Sequence, residues 1–167
     1  MTSAVFFALT LFAAVGSGLM AGLFFTFSTF VMTALGRLPP AQGIAAMNSI
    51  NAAILNPLFA LVFFGTPLAC AVLIGRGLFQ WSAPGSAWLI AGCAVYILGG
   101  FLVTVLFNVP LNNALAAVDP AGTDGTALWT RYLSVWTNWN HVRTVACTAA
   151  AALLIVGLWL QGRWAAA

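Results

Sequence analysis

Apolar positions fall into four long runs, separated by short breaks rich in Pro, Gly and Asn. The first runs from about Ala4 to Leu35 without a charged residue. A bilayer span needs roughly 20 residues, so a long or tilted first helix is predicted. No Arg or Lys precedes the run, and it exceeds the roughly 7–15 residues of a signal h-region, so a cleavable signal peptide is not expected. Leu38-Pro39-Pro40 breaks this helix, and Ala41 to Asn51 reads as a connector able to form a short interfacial helix. The second span is expected from about Ile54 to Gly75-Arg76-Gly77, with Asn56 as N-cap if it starts there and Pro57 early, where a missing N–H matters little. Pro67 lies deeper and predicts a kink.

A link through Trp81 to Gly85 leads to a third span from about Trp88 to Phe107. It is predicted to stop at Asn108-Val109-Pro110, because proline disfavours helix in the residue before it. The connection from Leu111 to about Asn140 is turn-rich around Asp119-Pro120-Ala121-Gly122. The fourth span is expected from about Val142 to Leu160. The fold class is therefore all-α: one domain over residues 1–167, an integral membrane four-helix bundle with an extended, partly helical connection between the third and fourth spans.

Composition sharpens this picture. Of 167 residues, 63% are hydrophobic and 4% charged, against roughly 25% charged in a soluble domain. So few charges cannot cover a globule in water, and the partner surface must be lipid. The net charge of +3 comes from five scattered Arg and two Asp, so nucleic-acid binding, which needs clustered cations, is not expected. Both Asp lie in one connection and Glu is absent, which argues against proton pumping, carboxylate di-iron sites and sodium coupling. Cys70, Cys93 and Cys147 sit in apolar runs without metal spacing and read as buried hydrophobes. Four spans put both termini and Arg76 on one side, with Arg37 and Arg131 on the other. With Arg131 offset by the two Asp, the termini are expected in the cytoplasm of a plasma or inner membrane.

Candidate chemistry gathers in few places. Ala14, Gly18, Gly22 and Thr26 recur every four residues, a small-residue ridge expected on the inner face of the first helix, or serving a homo-oligomer if the bundle does not use it. From Trp129 to Thr148 one long helix is predicted, starting outside the membrane as an amphipathic piece. About 100° per residue puts Trp129, Tyr132, Trp136, Asn140 and Arg143 on one face. The aromatics read either as an interfacial belt or as pocket walls for a flat substrate. Thr130, Thr137, His141, Thr144 and Thr148 share a second face, expected to point inward because hydroxyls and imidazole are poorly satisfied by lipid. His141 is the chain's single histidine and is a candidate general base or ligand. Asn108, Asn112 and Asn113 close the third span, and Asn138 and Asn140 open the fourth. Capping accounts for some of them. Five Asn beside His141 and Arg143 exceed what two caps need, and the cluster is expected to hold a carbonyl- or phenol-bearing ligand, its oxyanion stabilised by Arg143 or the amides. Trp136, Trp139 and Thr144 complete the expected substrate wall. No metal site is expected.

The strings Gly22-Leu-Phe-Phe-Thr-Phe-Ser28, Asn56-Pro57, Phe107-Asn108-Val-Pro-Leu-Asn112-Asn113 and Trp136-Thr-Asn-Trp139-Asn140-His141-Val-Arg143-Thr144 resemble the anthrone-oxygenase-like family of small four-span membrane proteins. The resemblance implies oxidation of an anthrone methylene to a quinone carbonyl by O2, without metal or flavin. On that reading His141 is the base and the Asn/Arg cluster holds the oxyanion. Two other classes are carried beside it. A haem- or quinone-binding redox protein is one, with haem limited to a mixed set of His141 and Met20, Met32 or Met47, and a quinone needing only aromatic walls and a donor or two. A non-catalytic carrier or assembly partner is the other.

Overall fold

The computed structural model describes residues 3–165, and the first two and last two residues of the predicted domain lie outside it. Five helices are found among the described residues: α1 (Ala4–Gly36), α2 (Pro40–Ala53), α3 (Pro57–Phe79), α4 (Ser86–Ala117) and α5 (Thr123–Ala165). Four of them, all but α2, are long and apolar enough to cross a membrane, and no strand is found among the described residues. Their outward faces carry Phe7, Leu11, Leu19, Phe25, Leu61, Phe64, Leu68, Leu98 and Val145 in the open. Such a surface is stable only against lipid.

Local chemistry explains the boundaries. Pro40 opens α2 and Pro57 opens α3, where their missing N–H groups have no partner to lose. Asn56 caps α3, its side-chain oxygen accepting from the Phe59 N–H at 3.0 Å. The second span is therefore Pro57–Phe79, shifted from the expected 54–75. The helix runs unbroken through Pro67.

Two expected boundaries are corrected. The third span does not stop before Pro110 but continues to Ala117. Two π-helical stretches, Tyr96–Leu102 and Thr104–Asn108, precede that proline. Their wider turn lengthens the hydrogen-bond ladder by one residue and carries the helix past an imide that has no N–H to offer and would clash with a normally placed carbonyl. The connection between the third and fourth spans is helical over most of its length. Only residues 118–122 separate α4 from α5, with Asp119 accepting from the Ala121 N–H at 3.0 Å in an Asx turn.

The predicted long helix through Trp129 and Thr148 is present and longer than expected. The 41-residue stretch Thr123–Arg163 is about 60 Å long at about 1.5 Å per residue, twice a hydrocarbon core of roughly 30 Å. Two cores follow from this length. One fills the four-span bundle and includes Met20, Phe24, Phe63, Cys70, Cys93, Tyr96, Cys147 and Leu154. The other lies under α2, where Ile44, Met47 and Leu115 pack on Trp129, Tyr132 and Trp136. Gly43 lets α2 lie flat there, since a Cβ at that position would come within 2.6 Å of the Trp129 ring. The three cysteines are buried and free, as their apolar setting predicts.

The small-residue ridge of α1 does not form its inner face. Ala14 is buried, but Gly18 and Gly22 are exposed, and a Cβ on either meets nothing within 4 Å among the described residues. The close approach is made instead by Gly16, where a Cβ would strike the Thr66 side chain of α3. A period of four drifts around a helix of 3.6 residues per turn, so the ridge winds off the packed face.

Candidate functional site

Helices α3 and α4 pack together through Ser86–Leu102 and part beyond it. The gap is a cavity of about 950 Å³ between α1, α2, α3, α4 and α5. Its walls are mostly apolar, from Phe24, Phe27, Met47, Phe59 and Phe63, and Leu55, Phe64 and Val105 on its rim are exposed on the surface that faces lipid. Polar groups enter at few points: Arg143, Thr104, Asn112 and Asn113, Asn48 and Asn51 from α2, and Asn56 at the start of α3.

Among the described residues Arg143 is the one charged side chain lining it, and it is 3% exposed. Its Nη2 donates to Asn140 Oδ1 at 2.7 Å and its Nη1 to Thr104 Oγ1 at 3.3 Å, while Nε has no partner among the described residues. The guanidinium carbon lies 4.1 Å from the centre of the Phe24 ring and 4.9 Å from that of Trp136. These faces offer quadrupole attraction but no negative charge. The chain has no Glu, and Asp124 is 19 residues back along the same helix, about 28 Å away at about 1.5 Å per residue. A buried cation without a counter-ion is costly, by several kcal/mol in order of magnitude. The site thus keeps a positive charge on the wall of an apolar cavity.

Asn140 fixes that charge in place. Its amide nitrogen donates at 2.7 Å to both the Phe24 carbonyl and Ser28 Oγ of α1, and its oxygen takes Arg143. The Phe24 carbonyl lies just upstream of the π-helical turn Phe27–Val31, where the looser ladder leaves it able to accept from outside the helix. Both amide hydrogens and one lone pair of Asn140 are spent on the protein, and the residue is fully buried and does not line the cavity, contrary to the substrate-binding place expected for it. Thr144 is likewise occupied, by Ser28 Oγ and the Asn140 carbonyl at 2.9 Å.

Asn112 holds the second wall. Its Oδ1 accepts from Tyr132 Oη and from Trp136 Nε1, each at 2.7 Å. Trp129, Tyr132 and Trp136 stack in sequence at 5.7 and 5.6 Å between ring centres. The face of α5 expected to carry these aromatics with Asn140 and Arg143 is thus the inward one, and Trp136 lines the cavity. Asn113 is exposed at the cavity mouth. Asn108 is fully buried, bonds the Trp136 carbonyl at 3.1 Å and does not line the cavity. Trp139 stacks on Phe107 at 3.8 Å, outside it.

His141 is corrected more sharply. It is exposed, as are Thr130 and Thr148 on the same stripe, so these three positions do not face the bundle interior, whereas Thr144 on that stripe reaches Ser28 of α1. Thr130 and Thr148 satisfy their hydroxyls on the carbonyls of Thr126 and Thr144, one turn back on α5, and need no inward partner. His141 is not among the cavity residues, nor is it turned towards Met20, Met32 and Met47, which are buried in the two cores. No group of three His, Cys, Asp or Glu that could hold a metal occurs among the described residues.

Comparison with known families matches residues 59–153 to the model described as anthrone oxygenase. The chain belongs to the anthrone oxygenase family. The match runs from the start of α3 through α4 and most of α5, and so contains Thr104, Asn112, Trp136 and Arg143. The strings Gly22–Ser28 and Asn56-Pro57 fall outside it. No curated protein and no solved structure matches the chain.

Sequence reasoning missed Asn48 and Asn51, since α2 reads as a bare connector, and Thr104, a lone hydroxyl in an apolar span. The signal available for α2 was the spacing of Asn48 and Asn51, three apart and so on one helical face.

Proposed function

We propose that this membrane protein oxidises an anthrone-type substrate with O2, without a metal or flavin, inside the cavity between α3 and α4. The observation that carries this reading is Arg143, a buried guanidinium with a free Nε and no carboxylate, on the wall of an apolar cavity large enough for a fused three-ring molecule. Such a cation favours the ionised form of a substrate whose carbonyl oxygen lies against it.

An anthrone is acidic at the methylene opposite its carbonyl, because the anion is a delocalised aryloxide. Loss of that proton to water at the cavity mouth leaves negative charge on the oxygen beside Arg143. The electron-rich anion passes one electron to O2, and the resulting radical and superoxide couple to a peroxide at the former methylene carbon. Protonation of the peroxide, loss of the second C–H proton and cleavage of O–O release water and leave a carbonyl. One O2 is consumed and one water formed per quinone. In this scheme the protein supplies orientation and charge, and His141, outside the cavity, is not the base.

The rim of exposed apolar side chains favours entry of such a substrate from lipid. With the termini in the cytoplasm, as the arginine balance suggests, the cavity lies nearer the opposite face of the membrane. The test is O2 uptake and quinone absorbance by the purified protein in lipid nanodiscs supplied with anthrone, against protein-free nanodiscs and an Arg143→Met variant. Uptake above the spontaneous rate, one O2 per quinone and abolished by the variant, is expected. Saturable binding with no uptake from any anthrone or hydroquinone would favour a quinone-binding or carrier role instead.

A further inference from the structure

At the end of the bundle remote from α2, the four spans meet around one fixed cation. Arg76 lies in the last turn of α3, half-buried, with its guanidinium carbon 3.7 Å from the centre of the Phe6 ring of α1 and its Nε donating to Gln80 Oε1 at 3.1 Å. Gln80 is itself held. Its backbone N–H donates to the Arg76 carbonyl at 3.0 Å, and its carbonyl accepts from Ser86 Oγ at 2.8 Å, which ties the start of α4 to the end of α3. With the ring on one face and Nε engaged, the two Nη groups keep their donors for a ligand. Beside them is a notch of about 10 Å³, room for one oxygen atom, floored by Thr10, Leu73 and Ser86 and flanked by Arg76, Gln80 and Gln161 of α5. Neither side-chain carboxylate of the chain reaches it, since Asp119 and Asp124 lie at the far end of α5, about 55 Å away at about 1.5 Å per residue.

We propose that this notch binds the phosphate of a membrane phospholipid. Position supports that source. Trp81, Trp88 and Trp159 are exposed at the same end, as tryptophans at head-group level are. Leu61, Leu68 and Val72 are exposed on the side of α3 that Arg76 occupies, so an apolar track for acyl chains leads away from the cation. A phosphodiester oxygen is charged and only accepts, which suits the planar pair of Nη donors and the amide N–H groups of Gln161. Bound there, the phosphate joins residues of all four spans, and the proposal does not depend on the reaction at Arg143.

The experiment is a thermal melt of the full chain in a neutral sugar detergent with dioleoylphosphatidylglycerol, dioleoylglycerol or inorganic phosphate at equal concentrations, beside native mass spectrometry to count retained lipid. Dioleoylphosphatidylglycerol is expected to raise the melting temperature and to stay bound at one per chain, and the other two are expected to do neither. Arg76→Gln should weaken that binding at least about tenfold. Arg163→Gln, at an exposed arginine of the same end, should leave it within about twofold, which separates a built site from general attraction of anionic lipid to a basic surface. If Arg76→Gln does not fold, Gln161→Leu takes its place, since Gln80 and not Gln161 holds Arg76, with an expected loss of about threefold. Equal stabilisation by dioleoylglycerol or by inorganic phosphate overturns the lipid phosphate as ligand. Unchanged binding in the folded Arg76 or Gln161 variant, or an equal loss in Arg163→Gln, overturns the site.

Discussion

Asn140 Oδ1 accepts a hydrogen bond of 2.7 Å from Arg143 Nη2, one turn further along α5, while the same amide's nitrogen ties α5 to the α1 backbone at Phe24. A carboxylate at that position would hold the guanidinium as firmly and also neutralise it. A neutral amide orients the cation and leaves its charge available to a ligand, which is how one residue outside the cavity decides what the cavity can stabilise.

Arg143→Met is expected to abolish oxidation to the level of the protein-free reaction, a loss of at least about 10²-fold, in line with the removal of an oxyanion donor. Arg143→Lys should recover little. A lysine ammonium lacks the planar fork that meets Asn140 and Thr104 together while leaving Nε free. Steady-state O2 uptake of the two variants, with folding checked by size exclusion, distinguishes loss of charge from loss of geometry.

Asn140→Ala removes both contacts to α1 and leaves the Phe24 carbonyl and the Arg143 Nη2 without their partners. Interhelical hydrogen bonds in membranes average about 0.6 kcal/mol, and stranding buried groups adds to that, so a destabilisation of roughly 1–3 kcal/mol is expected. Turnover should fall too, because Arg143 loses its position. A melting temperature lowered in the empty protein together with weaker anthrone binding is the expected pair of results. Lowered stability with unaltered binding would mean that Asn140 joins helices without aiming the cation.

The sequence made the spans legible because lipid imposes a simple rule on length and hydropathy, and it made the inward face of α5 legible because Trp129, Tyr132, Trp136, Asn140 and Arg143 recur with helical period. His141 was misplaced by a rule that holds for isolated polar groups. Thr130 and Thr148 each return a hydroxyl to their own helix, so a stripe of threonines places no constraint on which way that face turns. Pro110 was read as a stop because nothing in the sequence announces a π-helical turn. Asn48 and Asn51 could not be assigned, since their meaning depends on where α2 folds back across the gap between α3 and α4.

His141→Ala should leave turnover within about twofold of wild type, because the imidazole is exposed and lies outside the cavity. A surface substitution of this kind also falls within about ±0.5 kcal/mol in stability. Steady-state O2 uptake checks this, and a fall of more than about tenfold with the fold intact would restore the histidine as the base.

Asn112 carries two donors on one oxygen, Tyr132 Oη and Trp136 Nε1. Asn112→Leu strands both in an apolar setting, with an expected cost of roughly 2–5 kcal/mol. Trp136→Phe removes just one donor and keeps most of the ring against the cavity, so it should cost about 1 kcal/mol and weaken anthrone binding by less than about tenfold. Thermal melts of the two variants in one detergent give the comparison, and equal destabilisation would show that the amide's role is confined to the indole.

The faces of α1 make a last contrast. A Cβ at Gly16 would run into the Thr66 side chain, which is fully buried on α3, so Gly16→Ala forces the helices apart or Thr66 off its rotamer, at an expected 1–3 kcal/mol, roughly the cost of overpacking. Gly18 is two residues further along, exposed, with nothing within 4 Å of its Cβ position among the described residues. Alanine there replaces the poorest non-proline helix former with the best, and Gly18→Ala is expected to stabilise by up to about 1 kcal/mol. Melting temperatures that move in opposite directions would place the α1 contact on the Gly16 face. A fall on Gly18→Ala as large as that on Gly16→Ala would show that the outward ridge is packed against something in the membrane.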